Sequence, residues 1–281
     1  MLSCLRPSSI GLGLQVPIGW EFELTSYAQM VAAVPTVTVG GFSVSAADRQ
    51  TAAAMMIRAA SERAGAGRPL YFTSINGEVI ARARVEPDIE ALFSAADQIL
   101  ADGQPLVLAS RWLCRDRLPE RVATTDLFHD VACLAEQTGT TFYMLGADEE
   151  ENPKAVAAVR AAYPKLRLVG HSHGFLKGAA LEEKVDEINR LAPDILWLGL
   201  GVPLEQRFVR TFSDRLGNVG VIKTSGGLFN FLSGKNSRAP SWMQKAGFEW
   251  LWRLLLEPRR LFWRYLTTNP RALYAILRYS E

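Results

Sequence analysis

Five short runs that stay apolar on both faces constrain this chain more than any other feature: "LYFTS" (70–74), "TFYMLG" (141–146), "LRLVG" (166–170), "ILWLGLG" (195–201) and "VGVIKTSGG" (219–227). A strand with one wet face alternates apolar and polar residues. A continuous apolar run instead belongs to a strand covered on both sides, as in a parallel sheet. Helical patterns at 152–163, 180–191 and 203–215 separate the later runs, whose starts near 141, 166, 195 and 219 are spaced like βα units. These features predict an α/β fold, a Rossmann-like parallel sheet flanked by helices. Ligands of such sheets sit beyond the carboxyl ends of the strands, so the residues just after each run are the candidates for function.

The chain has 281 residues, 48% of them apolar and 21% charged, which is enough to bury a core and excludes a disordered chain. Ordered structure is expected from "PTVTVGGFSVSA", read as a strand pair around a Gly-Gly turn, followed by a helix over "DRQTAAAMMIRAASERA". Residues 1–34 read as a poorly ordered leader, 35–238 as the α/β core and 239–281 as a basic, aromatic helical appendage. Cys4, Cys114 and Cys133 are odd in number and lack CxxC spacing. They indicate neither a disulfide framework nor a zinc site and fit a reducing cytoplasm. Leu24–Ala47, the longest uncharged stretch, is interrupted by polar residues, Pro35 and Gly40-Gly41, so no membrane-spanning helix is expected.

Glycines close three of the runs. Gly146 precedes a helical pattern, Gly199 and Gly201 lead through Pro203 to Glu205 and Gln206, and Gly226-Gly227 follow "VIKTS". Each glycine could let a phosphate approach a helix N-terminus or could simply make a turn. Three such ends along one edge suggest a nucleotide or sugar-nucleotide site. "FTSINGE" adds Thr73, Ser74 and Asn76, suited to sugar hydroxyls or to a turn. Asp102 follows an apolar run and precedes Gly103, the place for a general base or a capping residue. Arg121 and Asp126 form a substrate clamp or a surface pair. His171 and His173, two of only three histidines, have no adjacent Cys or carboxylate cluster to complete a metal site. GxGxxG, HExxH and GxxxxGK[ST] do not occur, which disfavours dinucleotide oxidoreductase, zincin and P-loop chemistry. A non-catalytic nucleotide-binding regulator or scaffold at the membrane remains the alternative reading.

The ordered set Asn76/Glu78, Asp102-Gly103, Glu120-Arg121-Val122 with Asp126, Gly146, "HGF", "GLGVPLEQ" and "GGLFNFLSGKNSRAPSWMQKAGFEWLWRLLLEPRRLFWRY" resembles the WecG/TagA/CpsF glycosyltransferases, glycosyltransferase family 26. The likeness spans about residues 35 to 270 and is most specific over 224–266. It implies an inverting, metal-independent UDP-glycosyltransferase of hexosyl or N-acetylhexosaminyl type. The acceptor would be a polyprenyl-diphosphate-linked saccharide of exopolysaccharide, capsule or cell-envelope biosynthesis. It also implies peripheral association with the cytoplasmic face of the bacterial inner membrane, no nucleic-acid partner and no cofactor beyond the UDP-sugar donor, and it leaves a homo-oligomer open. The family's aspartate base falls on Asp102, its ERV arginine on Arg121, its strand-end hydroxyl on Thr73 or Ser74, and its tail arginines on Arg253, Arg260 and Arg264. The usual Gln-Glu order at the helix turn is Glu205-Gln206 here, so either side chain could meet the ligand.

Charge is uneven along the chain. Residues 235–281 carry nine Lys/Arg against three Asp/Glu, a net +6, which leaves −4 for the remainder. Two helices are predicted, from Gly247 to Glu257 and from Pro258 onward, because a residue before proline avoids helix and proline suits a first helical position. Tryptophan and leucine interleaved with arginine suit a bilayer's headgroup boundary, and arginine grips a diphosphate in bidentate fashion. The expectation is an appendage that docks on the membrane and brings Arg253, Arg260 and Arg264 to the UDP diphosphate. A packed helical hairpin at an oligomer interface is the alternative.

Overall fold

A computed structural model describes residues 26–63, 67–240, 242–243, 249–256 and 258–281. Its centre is a six-stranded parallel sheet built from β3 (Leu70–Ile75), β4 (Gln98–Ala101), β5 (Thr141–Gly146), β6 (Arg167–Ser172), β7 (Ile195–Gly199) and β8 (Val221–Thr224), in the spatial order β4-β3-β8-β7-β5-β6. All five apolar runs form strands. A further strand, β4, is formed by the apolar run that precedes Asp102.

Both faces of the sheet are covered. Phe72, Phe142, Met144 and Trp197 point into one core, shared with α2 (Arg49–Arg63), α6 (Thr124–Thr138) and α7 (Glu151–Ala162). Their strand neighbours Tyr71, Tyr143, Leu145, Leu196 and Leu198 point the other way, toward α8 (Ala179–Leu191) and α9 (Leu204–Phe212). The alternation within β5 accounts for the unbroken apolar run, because successive residues serve opposite cores.

A third core lies beside β3 and β4. The antiparallel pair β1 (Thr36–Val39) and β2 (Phe42–Ser45) packs there with α3 (Gly77–Ala83), α4 (Pro87–Ser94) and α5 (Gln104–Leu113). The C-terminal segment joins this core. After α10 (Leu228–Leu232), helices α11 (Glu249–Leu256) and α12 (Pro258–Arg278) follow. Ala275 and Ile276 of α12 are buried, and Ala272 comes close enough to α3 that a Cβ on Gly77 would meet its methyl at 3.5 Å. The chain end is tied down by Gly41 N–H to Tyr279 O (2.7 Å) and Glu281 N–H to Thr38 O (3.1 Å). The far part of 239–281 is therefore built into the body, because its small inner residues allow close helix contact.

The expected leader overlaps an ordered helix, α1 (Tyr27–Ala33). Ser26 and Gln29 cap it reciprocally, and the Tyr27 ring lies 6.2 Å from Phe72. Residues 1–25 lie outside the described residues. Cys133 is disulfide-bonded while Cys114 is free, which corrects the expectation of no disulfide.

Gly146 shows how tightly the strand ends pack. Its φ of 152° and its contact with the Gly199 backbone leave no room for a side chain, since a Cβ would lie 2.4 Å from Gly199 O. Gly146→Ala is expected to destabilise the protein by about 2–3 kcal/mol, because rigid backbone must move to admit the methyl. Thermal melts and denaturant midpoints check this.

Candidate active site

The carboxyl edge of the sheet gathers most of the candidates. β3 delivers Thr73 and Ser74, the turn after β4 delivers Asp102, the turn after β7 leads to Glu205 and Gln206, and β8 ends at Ser225-Gly226-Gly227. Because all six strands are parallel, these residues meet at one end of the sheet.

Asp102 is not a cap of its own helix α5. Its Oδ2 accepts from the Thr124 N–H (3.2 Å) and the Thr124 hydroxyl (3.0 Å), so it satisfies a free donor at the N-terminus of α6. Its Oδ1 faces Arg121 at 3.3 Å, and the side chain retains 24% exposure, enough to reach a ligand. Arg121 also donates to Glu249 of α11 at 2.5 Å. Burial disfavours the Arg121 charge, but Asp102 and Glu249 outweigh it and hold the guanidinium above its ordinary range. Arg121 and Asp126 are thus not partners of each other; Asp126 pairs with Arg238 and lies 4.0 Å from Arg49.

The structure separates the two strand-end hydroxyls. Thr73 is buried and bonds Thr224 across the sheet at 2.8 Å, a tie between β3 and β8. Ser74 lies on the opposite face of β3, where its oxygen accepts from Lys223 at 2.8 Å and sits 3.4 Å from the Thr124 hydroxyl. Asn76 caps α3 by accepting from the Val79 N–H, which is the turn role.

Glu205 and Gln206 are both buried. Glu205 accepts from the Gly226 N–H at 2.9 Å and from the Gln206 amide at 3.2 Å, so it shapes the glycine turn after β8. Burial pushes the Glu205 carboxyl up, against the opposing effect of the Gly226 bond and Lys223. Gln206 Oε1 is buried without a hydrogen-bond partner. The glycines also divide. Gly146 and Gly199 pack on each other, whereas a Cβ on Gly201, Gly226 or Gly227 would meet nothing within 4 Å. Space for a ligand therefore opens at the turns after β7 and β8, and Gly146 serves packing.

Two tail arginines lie around this edge. Arg253 stacks over Phe231 of α10 at 5.1 Å, and Arg264 pairs with Glu78 of α3 at 3.2 Å. Arg260 lies in α12, but its side chain is outside the described residues.

Several supporting residues escaped sequence reasoning: Thr124, Lys223, Glu249 as partner of Arg121, and Asn152. The buried Asn152 amide donates to the carbonyls of Gly146 and Ser172 and its oxygen meets His171 at 2.8 Å, which occupies that histidine structurally. Gly170–Gly174 has Gly-x-Ser-x-Gly spacing, but Ser172 ends β6 without entering a helix, so it makes no nucleophile elbow. Among the described residues, no group of three or more His, Cys, Asp or Glu is placed to hold a metal ion.

Fold and site define a Rossmann-like α/β protein with its polar groups at the carboxyl edge of a parallel sheet. The chain belongs to the glycosyl transferase WecG/TagA/CpsF family, whose model matches residues 37–281. It is similar to the N-acetylglucosaminyldiphosphoundecaprenol N-acetyl-beta-D-mannosaminyltransferase of Bacillus subtilis (strain 168), at 30% identity over 73% of this chain and 78% of the relative. Proteins of the same description from Bacillus spizizenii (30% identity; 75% and 80% covered) and Staphylococcus aureus strain MRSA252 (27%; 68% and 74%) are also similar.

The buried Glu205 gives a stability test with a defined sign. Its folded-state pKa is raised, so its favourable contribution is present at low pH and is lost as pH rises through that value. Glu205→Gln keeps an oxygen for the Gly226 N–H but cannot ionise. Denaturation series from acid to alkaline pH should show the wild type losing stability relative to Glu205→Gln as pH rises.

Proposed function

We propose that this glycosyltransferase moves a sugar with inversion from a UDP-sugar onto a polyprenyl-diphosphate-linked saccharide. The setting would be bacterial exopolysaccharide, capsule or cell-envelope polysaccharide synthesis at the cytoplasmic face of the inner membrane. The observation that carries this reading is the Asp102 carboxylate, partly exposed and fixed by Thr124 and Arg121 at the open edge of the sheet. The names of the similar proteins, which specify a diphosphoundecaprenol-linked N-acetylglucosamine acceptor, support the acceptor class.

In this mechanism Asp102 takes the proton of an acceptor hydroxyl as its oxygen attacks the anomeric carbon. The bond to UDP breaks with its electron pair leaving on the diphosphate, where donors must meet the growing charge. Ser74 and the turns at Gly201 and Gly226-Gly227 would hold the donor sugar and phosphates. Arg253, Arg260 and Arg264 would neutralise the leaving group, and no metal would be required. Asp102→Asn should retain UDP binding while turnover falls by a factor of about 10² to 10⁴, read as UDP release. Near-normal turnover would remove Asp102 from the role of base. UDP release from polyprenyl-diphosphate-glucose and polyprenyl-diphosphate-GlcNAc, each crossed with UDP-glucose, UDP-ManNAc and UDP-ManNAcA with and without EDTA, identifies the pair. UDP binding without transfer in any combination would favour the regulatory reading.

The C-terminal helices would dock on the membrane. Phe262, Trp263, Leu266, Leu273 and Leu277 are exposed on a segment rich in arginine, a composition suited to an anionic headgroup boundary. No helix among the described residues is long and apolar enough to cross a bilayer. Cosedimentation with phosphatidylglycerol vesicles should weaken at least about tenfold in a Trp263→Glu, Leu266→Glu variant, since each large apolar side chain contributes about 1.5–3 kcal/mol on burial.

A further inference from the structure

Beside their contact at Gly77 and Ala272, α3 and α12 flank a cleft of about 330 Å³. Glu78, Arg82 and Glu86 line it along and just beyond α3, and Arg264, Thr268 and Arg271 line it on α12. Three arginines against two glutamates leave the cleft a net +1. Arg264 pairs with Glu78 at 3.2 Å. Arg82 holds Glu86 twice, Nε to Oε1 at 2.9 Å and Nη2 to Oε2 at 3.1 Å. Both carboxylates are thus answered. Arg271 is exposed and has no ion pair or hydrogen bond among the described residues.

Arg82 is held ready for a ligand. Its Nη1 also donates to Val202 O at 3.3 Å, in the turn after β7. Three of its five N–H groups are therefore taken, and two remain for ligand oxygens. A guanidinium already fixed by the protein loses little freedom on gripping an anion, and its planar fork matches phosphate. Arg264, Thr268 and Arg271 recur at i, i+4 and i+7, so they share one face of α12.

The cleft begins beside the proposed base. Asp102 N–H donates to Ile75 O at 2.8 Å, and a Cβ on Gly103 would lie 3.6 Å from Asn76, the cap of α3. Arg82 follows Glu78 by one turn, so the cleft runs one to two helix pitches from there, about 5–11 Å. An acceptor that offers a ring hydroxyl to Asp102 carries its diphosphate across that ring, on the anomeric oxygen. On the opposite side of α12, Phe262, Leu266, Leu273 and Leu277 form the exposed apolar stripe. A helix is about 10–12 Å across, and the interfacial layer of one leaflet is about 5–7 Å deep. With the stripe at the acyl boundary, the cleft stands at the outer rim of the headgroups, where a lipid-linked diphosphate leaves the membrane. The UDP-sugar is soluble and needs no such placement.

We propose that the cleft between α3 and α12 holds the diphosphate of the lipid-linked acceptor, with Arg82 and Arg271 as its cationic donors. This inference rests on the polyprenyl-diphosphate acceptor proposed above. Arg264 forms a wall of this cleft in addition to its leaving-group role, and its charge is balanced by Glu78.

The test is calorimetric binding to the full chain, without vesicles, of three probes: farnesyl-diphosphate-GlcNAc, the farnesyl glycoside of GlcNAc that lacks phosphates, and UDP. Wild type should prefer the diphosphate-linked sugar to the neutral glycoside. Arg271→Gln should weaken binding of the diphosphate-linked sugar about tenfold and the Arg82→Gln, Arg271→Gln double variant about 100-fold, the scale of hydrogen bonds to a charged group. The Kd for UDP should move by less than about twofold. An unchanged Kd for the diphosphate-linked sugar in the double variant overturns the inference. So does a loss confined to UDP, which would give the cleft to the donor, or one confined to cosedimentation with phosphatidylglycerol vesicles, which would make it a headgroup patch. If Arg82→Gln does not fold, the exposed Arg271→Gln decides. Wild type that binds the neutral and diphosphate-linked sugars alike would remove the acceptor reading and this inference with it. A wild-type preference that survives in the variants removes only the cleft assignment.

Discussion

The carboxylate of Asp102 joins parts of the chain that are far apart in sequence. One oxygen takes two hydrogen bonds from Thr124 at the start of α6, and the other faces Arg121, which reaches Glu249 of α11. Hydrogen bonds to an ionised group contribute about 1.5–3 kcal/mol, and a negative charge at a helix N-terminus adds about 0.3–1 kcal/mol. Arg121 gives the cluster its cohesion, because it is largely buried and would be costly without both carboxylates. Removing any member leaves a desolvated charge behind. The position of the C-terminal helices and the orientation of the proposed base are therefore set by the same ion-pair cluster.

A sheet covered on both faces leaves its polar chemistry to its ends. Within the strands nearly every side chain serves one of two apolar cores, so charge is tolerated where strands stop and backbone amides become free to bind it. Glu205 illustrates the compromise: it is buried, its carboxyl is pushed up, and it is used to hold the Gly226 amide and hence the shape of the last turn. Lys223 departs further, since it lies inside a strand among aromatic rings. Its charge is accommodated by two short hydrogen bonds and by carboxylates on two different elements.

Much of this architecture was legible because strands covered on both faces write themselves as unbroken apolar runs. Those at 70, 141, 166, 195 and 219 all became neighbours in one parallel sheet. What escaped was short or tertiary. α1 is a single capped helix whose serine and glutamine made a usable but unread signal. Among the site candidates, sequence order brought out the residues at the sheet edge but not what they do there. Gly146 and Gly201 look alike in the sequence, yet one packs against backbone and the other faces open space. Thr124 carries no motif of its own, and Glu249 stands inside the most specific run of the resemblance without showing its role there. Their significance lies in being the partners of Asp102 and Arg121, which only the folded chain reveals.

The C-terminal segment reconciles two demands that its sequence seemed to set against each other. A basic, tryptophan-rich stretch is too oily for a solvated tail and too charged for a core helix. α12 resolves this by dividing its faces: Leu261, Ala272, Ala275 and Ile276 turn inward, while Phe262, Trp263, Leu266, Leu273 and Leu277 remain exposed. The inner face and the chain-end hydrogen bonds fix the helix to α3 and the β1–β2 hairpin, and Glu249 fixes the preceding helix to Arg121. An apolar surface held this firmly is presented in a defined orientation to the sheet edge that carries Asp102. If that surface rests on a bilayer, the distance from membrane to base is set by the fold, and a lipid-linked acceptor needs to span only that distance for its sugar to reach Asp102.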